Sequence, residues 1–152
     1  MIEQDLYWVL VQDRWVIEKG RHVTKYFAPL MSSLPRSVES FLIEYMFSKK
    51  MAKQTHAQGM GRHSVAEVQE MGMEDIEDLS NFLGTKDFMF GKNGPTEIDC
   101  VLFGFMVMFL YVTPSDNVYV KKIMKDHQNL VQFVDRMKEK FWPDWEDCRY
   151  KE

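Results

Sequence analysis

The sequence predicts an all-α fold organised around one buried central helix, and three observations carry that prediction. Apolar residues recur at helical spacing along much of the chain, and no period-2 alternation is long enough for a strand. Two segments open with a hydroxyl residue followed three places later by a carboxylate, a recurring helix-start pattern. The run from Cys100 to Val112 is apolar on every side, and a helix without a polar face is expected to be surrounded by protein.

Leu6, Val9, Leu10, Val16 and Ile17 give the first segment its helical stripe, widened by Trp8 and Trp15, with Gly20 as the terminator. Val23, Tyr26 and Phe27 suggest a short helix stopped by Pro29. Pro35 suits the first turn of the next helix, behind Ser32 and Ser33 as candidate caps. Val38, Phe41, Leu42, Tyr45 and Met46 keep helical spacing, and the polar stretch Lys49 to His56 continues to Gly59 and Gly61.

Ser64 and Glu67 form a capping box: the hydroxyl accepts from a backbone amide three residues on, and the carboxylate accepts in return. The stripe Val65, Val68, Met71, Ile76, Leu79, Phe82 and Leu83 follows, closed by Gly84. After a loop from Thr85 to Pro95, Thr96 and Asp99 make a shorter variant of the box and open the central helix. Loss of either residue is expected to cost about 0.5–2 kcal/mol. Beyond Pro114, the segments Val118 to His127 and Asn129 to Phe141 read as amphipathic helices, and Pro143 ends the last.

A length of 152 residues predicts a single domain over 1–152. The net charge of −4 offers no phosphate-seeking surface, so no nucleic-acid partner is expected. Only two cysteines occur, Cys100 in the apolar run and Cys148 in a charged tail. That points to a reducing, cytoplasmic setting without a structural disulfide. The apolar run is about thirteen residues long, short of the roughly twenty that span a bilayer, so no membrane span is predicted. Glu3 and Asp5 argue against a transit peptide.

Little in the sequence carries catalytic chemistry. His22, His56, His63 and His127 have no metal-ligand spacing, so no metal site is expected and each reads as a surface or cap residue. There is no nucleophile elbow, zinc-protease motif, phosphate loop or dinucleotide fingerprint. Cys100 sits near a helix N-terminus but reads as a small core residue rather than a nucleophile. Tyr7 is expected to pack rather than react. The basic cluster Lys49, Lys50, Lys53, His56, Arg62 and His63 reads as a solvated face, with a docking surface as the sharper alternative. The aromatics Phe141, Trp142 and Trp145 are expected to fold back onto the bundle.

The loop and helix Leu83-Gly84-Thr85-Lys86-Asp87-Phe88-Met89-Phe90-Gly91, followed by Pro95-Thr96-Glu97-Ile98-Asp99, resemble the C-terminal helical domain of glutathione-transferase-like proteins. There a hydroxyl and an aspartate cap the buried core helix. Leu6-Tyr7-Trp8-Val9-Leu10 with Arg14-Trp15, Gly61-Arg62-His63-Ser64, and Asn129-Leu130 leading to Phe141-Trp142-Pro143-Asp144-Trp145 narrow the resemblance. Together they look like the branch of failed-axon-connections and cadmium-responsive proteins, related to metaxins, over about residues 5 to 145.

Members of that branch normally begin with a thioredoxin-like domain that holds glutathione, and the residues before Leu6 do not encode one. The resemblance therefore implies no catalytic residues in this chain, and no cofactor unless a thioredoxin-like domain supplies a glutathione site. The expected role is a non-catalytic interaction or docking domain, with a thioredoxin-like domain or a second copy as partner. The alternative is part of a glutathione-dependent transferase for hydrophobic electrophiles, with Tyr7, Val11 and Phe105 as candidates for the hydrophobic-ligand wall.

Overall fold

The computed structural model describes residues 2–20, 35–91 and 93–148. The short helix expected around Val23 to Phe27, Pro29, the caps Ser32 and Ser33, and His22 lie outside the described residues. Every regular element among those described is helical; the Phe88–Gly91 pairing is an isolated bridge within a turn. Length alone predicts one domain, but the chain forms two compact units, Met1–Gly72 and Met73–Glu152.

In the first unit, a wide π-helical segment Ile2–Leu6 runs into α1 (Tyr7–Val11) and then a second π-helical segment, Gln12–Ile17. Ile2, Leu6, Val9 and Leu10 are buried, as their spacing requires. The end is closed by the Glu18 amide donating to the Asp13 carbonyl at 2.9 Å and the Gly20 amide donating to Arg14 at 2.8 Å. Gly20 adopts φ +69°, a conformation a glycine takes without strain.

The next helical stretch comprises α2 (Arg36–Phe41), a π-helical segment Leu42–Phe47 and α3 (Ser48–Gln58). α3 packs against α1 and the segment Gln12–Ile17. A 3₁₀ turn, Met60–Arg62, then reverses the chain. A Cβ at Gly61 would stand 2.6 Å from the His56 amide nitrogen, so close approach of the backbone demands glycine there. The apolar stripe of the second stretch is not a core stripe: Val38, Phe41, Tyr45 and Met46 are exposed, and Leu42 is half-buried.

Helix α4 (Val65–Leu83) contains the boundary between the units and ends at Gly84, φ +53°. The second unit continues through a turn, in which Phe88 and Gly91 exchange backbone hydrogen bonds of 3.2 and 3.0 Å, into α5 (Glu97–Val107) and a π-helical segment Met108–Val112. Then come α6 (Val118–Asp126), α7 (Gln128–Phe141) and the single turn α8 (Trp145–Cys148). α7 packs against both α5 and α6. Leu102, Met106, Phe109, Tyr119, Ile123, Leu130, Phe133 and Met137 are almost wholly buried and form the core of this unit. Among the described residues, no helix is long and apolar enough to cross a membrane.

Two expectations need correction. The central helix is not walled in on all sides: Phe103 and Phe109 are buried, but Cys100 and Gly104 are exposed, and Val101, Phe105, Val107, Met108 and Leu110 are only half-buried. Cys100 is accordingly a surface thiol rather than a small core residue. Composition announces that a helix has no polar face; it does not announce how many neighbours arrive to cover it. His56 and His63 are exposed, whereas His127 is 7% exposed and forms the joint between α6 and α7.

Candidate functional site

The start of α5 is held by one carboxylate. Asp99 is fully buried and accepts from the Thr96 amide at 2.8 Å, the Thr96 hydroxyl at 2.9 Å and the Met89 amide at 2.7 Å. The first two bonds close the helix end, and the third ties the Phe88–Gly91 turn to it. Lys86 adds a bond to the Met89 carbonyl at 2.8 Å. At the other cap, Ser64 and Glu67 exchange bonds: the Ser64 amide donates to the Glu67 carboxylate at 2.7 Å, and the Glu67 amide donates to the Ser64 hydroxyl at 3.3 Å. The Ser64 amide and then its hydroxyl hold the Glu67 carboxyl below the usual carboxylate range, and the His63 charge adds slightly.

Long-range polar ties fix the loop before α5. Asn129 donates to the carbonyls of Ser80 and Gly84 at 2.8 and 3.2 Å, and the Ser80 hydroxyl donates to its side-chain oxygen at 2.8 Å. Arg136 donates to the carbonyls of Asp87 and Lys86 at 3.1 and 3.4 Å. These partners lie 45 to 50 residues apart in sequence, beyond the reach of any local pattern.

The tail covers one side of α5. Trp142 stacks on Phe103 with centroids 4.7 Å apart, and Trp145 meets Tyr111 edge-on at 5.2 Å. Lys138 donates to the Tyr111 hydroxyl at 2.7 Å and to Asp135 at 3.2 Å, with its ammonium 5.4 Å from the Trp145 ring. Trp142 and Trp145 therefore fold back as expected, whereas Phe141 is exposed.

Another side of α5 stays open. Cys100, Val101, Gly104 and Met108 recur at three- and four-residue spacing and form one stripe, with Cys100 and Gly104 exposed and Val101 and Met108 half-buried. A Cβ built on Gly104 meets nothing within 4 Å, so there is free space beside the middle of the helix. The sequence offers one signal for this position, a glycine between Phe103 and Phe105 that weakens the helix relative to alanine.

The wall candidates are placed as follows. Tyr7 is exposed and Val11 buried in the first unit, and Phe105 is half-buried in the second. Among the described residues, no three His, Cys, Asp or Glu side chains cluster in a metal-holding arrangement. Burial and then the Asp144 carboxylate, whose oxygen lies 3.6 Å from the sulfur, push the Cys148 thiol up, which opposes its use as a nucleophile.

The family described as "Glutathione S-transferase, C-terminal domain" matches residues 72–137. Failed axon connections of Drosophila melanogaster is 32% identical over 155 residues, covering 97% of this chain and 37% of that protein. Metaxin-2 of Mus musculus and of Homo sapiens are each 27% identical, covering 68% of this chain and 39% and 38% of theirs. The chain thus spans under two-fifths of the length of these relatives. No solved structure matches significantly.

Proposed function

We propose that this chain, which belongs to the glutathione-transferase-like helical family of failed axon connections and the metaxins, is a non-catalytic docking domain whose partner covers the open stripe of α5. The stripe is the observation that carries the reading. An apolar face left beside free space at Gly104 gains about 25 cal/mol for each Å² that a partner removes from water. The partner assigned is a thioredoxin-like domain, as the family resemblance suggests, with a second copy of the chain as the competitor. Glutathione would then be held by that partner and not by this chain. A cytoplasmic setting fits the two exposed, unbridged thiols Cys100 and Cys148.

Sedimentation velocity tests the reading with three samples: the chain alone, the chain mixed with the part of failed axon connections outside the matched region, and the same pair carrying Gly104→Arg. The expected result is a complex formed by the wild type and lost in the variant, whose melting temperature does not fall because the added side chain enters open space. Self-association abolished by the same substitution would reassign the partner to a second copy. A strict monomer with no complex, and no binding of a dye that reports exposed apolar surface, would sink docking altogether. Retention on immobilised glutathione with turnover of a model electrophile by this chain alone would overturn the non-catalytic assignment.

A further inference from the structure

The first unit carries a groove of about 420 Å³ that none of the preceding chemistry uses. Its volume lies in the range of small-molecule sites, about 300–1,000 Å³. The walls come from two helical stretches: Val16 from one, Phe41, Tyr45 and Ala52 from the other. Phe41 and Tyr45 stack with centroids 5.4 Å apart and planes 9° from parallel, yet they are 61% and 50% exposed. Two stacked rings present a flat, pre-ordered apolar surface that loses little rotamer freedom on binding.

A second observation points to an occupant. Ser48 lines the same groove, is only 9% exposed, and its hydroxyl has no hydrogen-bond partner. A buried hydroxyl left unpaired costs free energy, and one rotamer change of so short a side chain offers the groove both a donor and an acceptor. Three charges ring the site: Lys19, Lys49 and Glu44, a net balance of one positive charge in a chain whose own net charge is −4. The Lys49 ammonium lies 4.0 Å from the Tyr45 ring centroid and donates to the Tyr45 hydroxyl at 2.6 Å. That contact is exposed, and an incoming carboxylate competes for the same ammonium on better electrostatic terms than a neutral phenol.

We infer that this groove binds a small amphipathic carboxylate, with its apolar body against Phe41 and Tyr45, its anionic group on Lys49, and a polar atom within reach of Ser48. The site lies within the first unit and owes nothing to the open stripe of α5, so it stands or falls independently of the docking role.

Titration of the full chain with 1-naphthoate, 1-naphthylmethylammonium and 1-naphthylmethanol, followed by calorimetry and by amide NMR shifts, tests this. The expected result is saturable one-to-one binding of naphthoate below about 1 mM, with the ammonium compound about tenfold weaker. The shifts should fall on Val16, Lys19 and Tyr45 to Lys49. Ser48→Leu fills the groove and should weaken naphthoate about tenfold; Lys49→Glu should do the same and favour the ammonium probe. If Ser48→Leu fails to fold, Lys49→Glu still decides, because Lys49 is exposed and its replacement leaves the core intact. Non-saturable binding, equal affinity for cation and anion, shifts confined to residues 73–152, or affinity unchanged by Lys49→Glu would each overturn the assignment.

Discussion

Asp99 shows how much one side chain can fix. Its two oxygens serve three donors, two at the start of its own helix and one, the Met89 amide, ten residues upstream. The Thr96 bond was legible in the sequence because caps are local: a hydroxyl and a carboxylate three places apart meet wherever a helix begins. The Met89 bond was not legible, because nothing at Met89 marks its backbone as a donor to a distant acid. The difference has a measurable consequence. Thr96→Ala removes one of the three donors to the buried Asp99 carboxylate but leaves the Thr96 and Met89 amides bonded to it, at about 0.5–2 kcal/mol. Asp99→Ala loses the cap and strands the Met89 amide, which adds about 1–3 kcal/mol and brings the total to about 1.5–5 kcal/mol. Urea unfolding of the two variants checks the ordering; equal losses would show that the Met89 bond contributes nothing.

At the scale of the element, α5 separates what a hydrophobic pattern tells from what it leaves open. The absence of a polar face led to the expectation of a helix enclosed on every side. Leu102, Phe103, Met106 and Phe109 meet that expectation, and the stripe through Cys100, Gly104 and Met108 does not. Periodicity cannot distinguish a face covered by the same chain from one awaiting a partner, since both are equally apolar. Gly104 breaks the tie in a testable way. Its helical position costs backbone entropy that alanine would recover, and apart from its chain neighbours and the helix's own backbone nothing lies within 4 Å of the place a methyl would take. Gly104→Ala should therefore stabilise the isolated chain by about 0.5–1 kcal/mol. Denaturant titration reads the sign directly. A destabilised variant would mean the space beside the helix is filled, and the docking stripe would lose its central feature.

Across the whole molecule, burial is unevenly shared, and that asymmetry was the least legible feature of the sequence. Val38, Phe41, Tyr45 and Met46 keep helical spacing as faithfully as Leu130, Phe133, Val134 and Met137, yet the first set is exposed and the second buried. The cause is tertiary: α7 packs against both α5 and α6, whereas Val38, Phe41, Tyr45 and Met46 stay exposed and Phe47 of that stretch meets the ring of Trp15. The resistance of an amide to exchange follows the free energy needed to open its surroundings, which rises with buried apolar contact. Hydrogen exchange read by mass spectrometry should find its slowest peptides in α5 and α7, and markedly faster exchange over residues 36–47. The groove and stripe add a further expectation: naphthoate should slow exchange at residues 44–49 and leave α5 unchanged, while a bound docking partner should do the reverse. Uniform protection of both stretches in the free chain would show that the exposed aromatics of residues 36–47 are already covered, and both the groove and the uneven core would have to be given up.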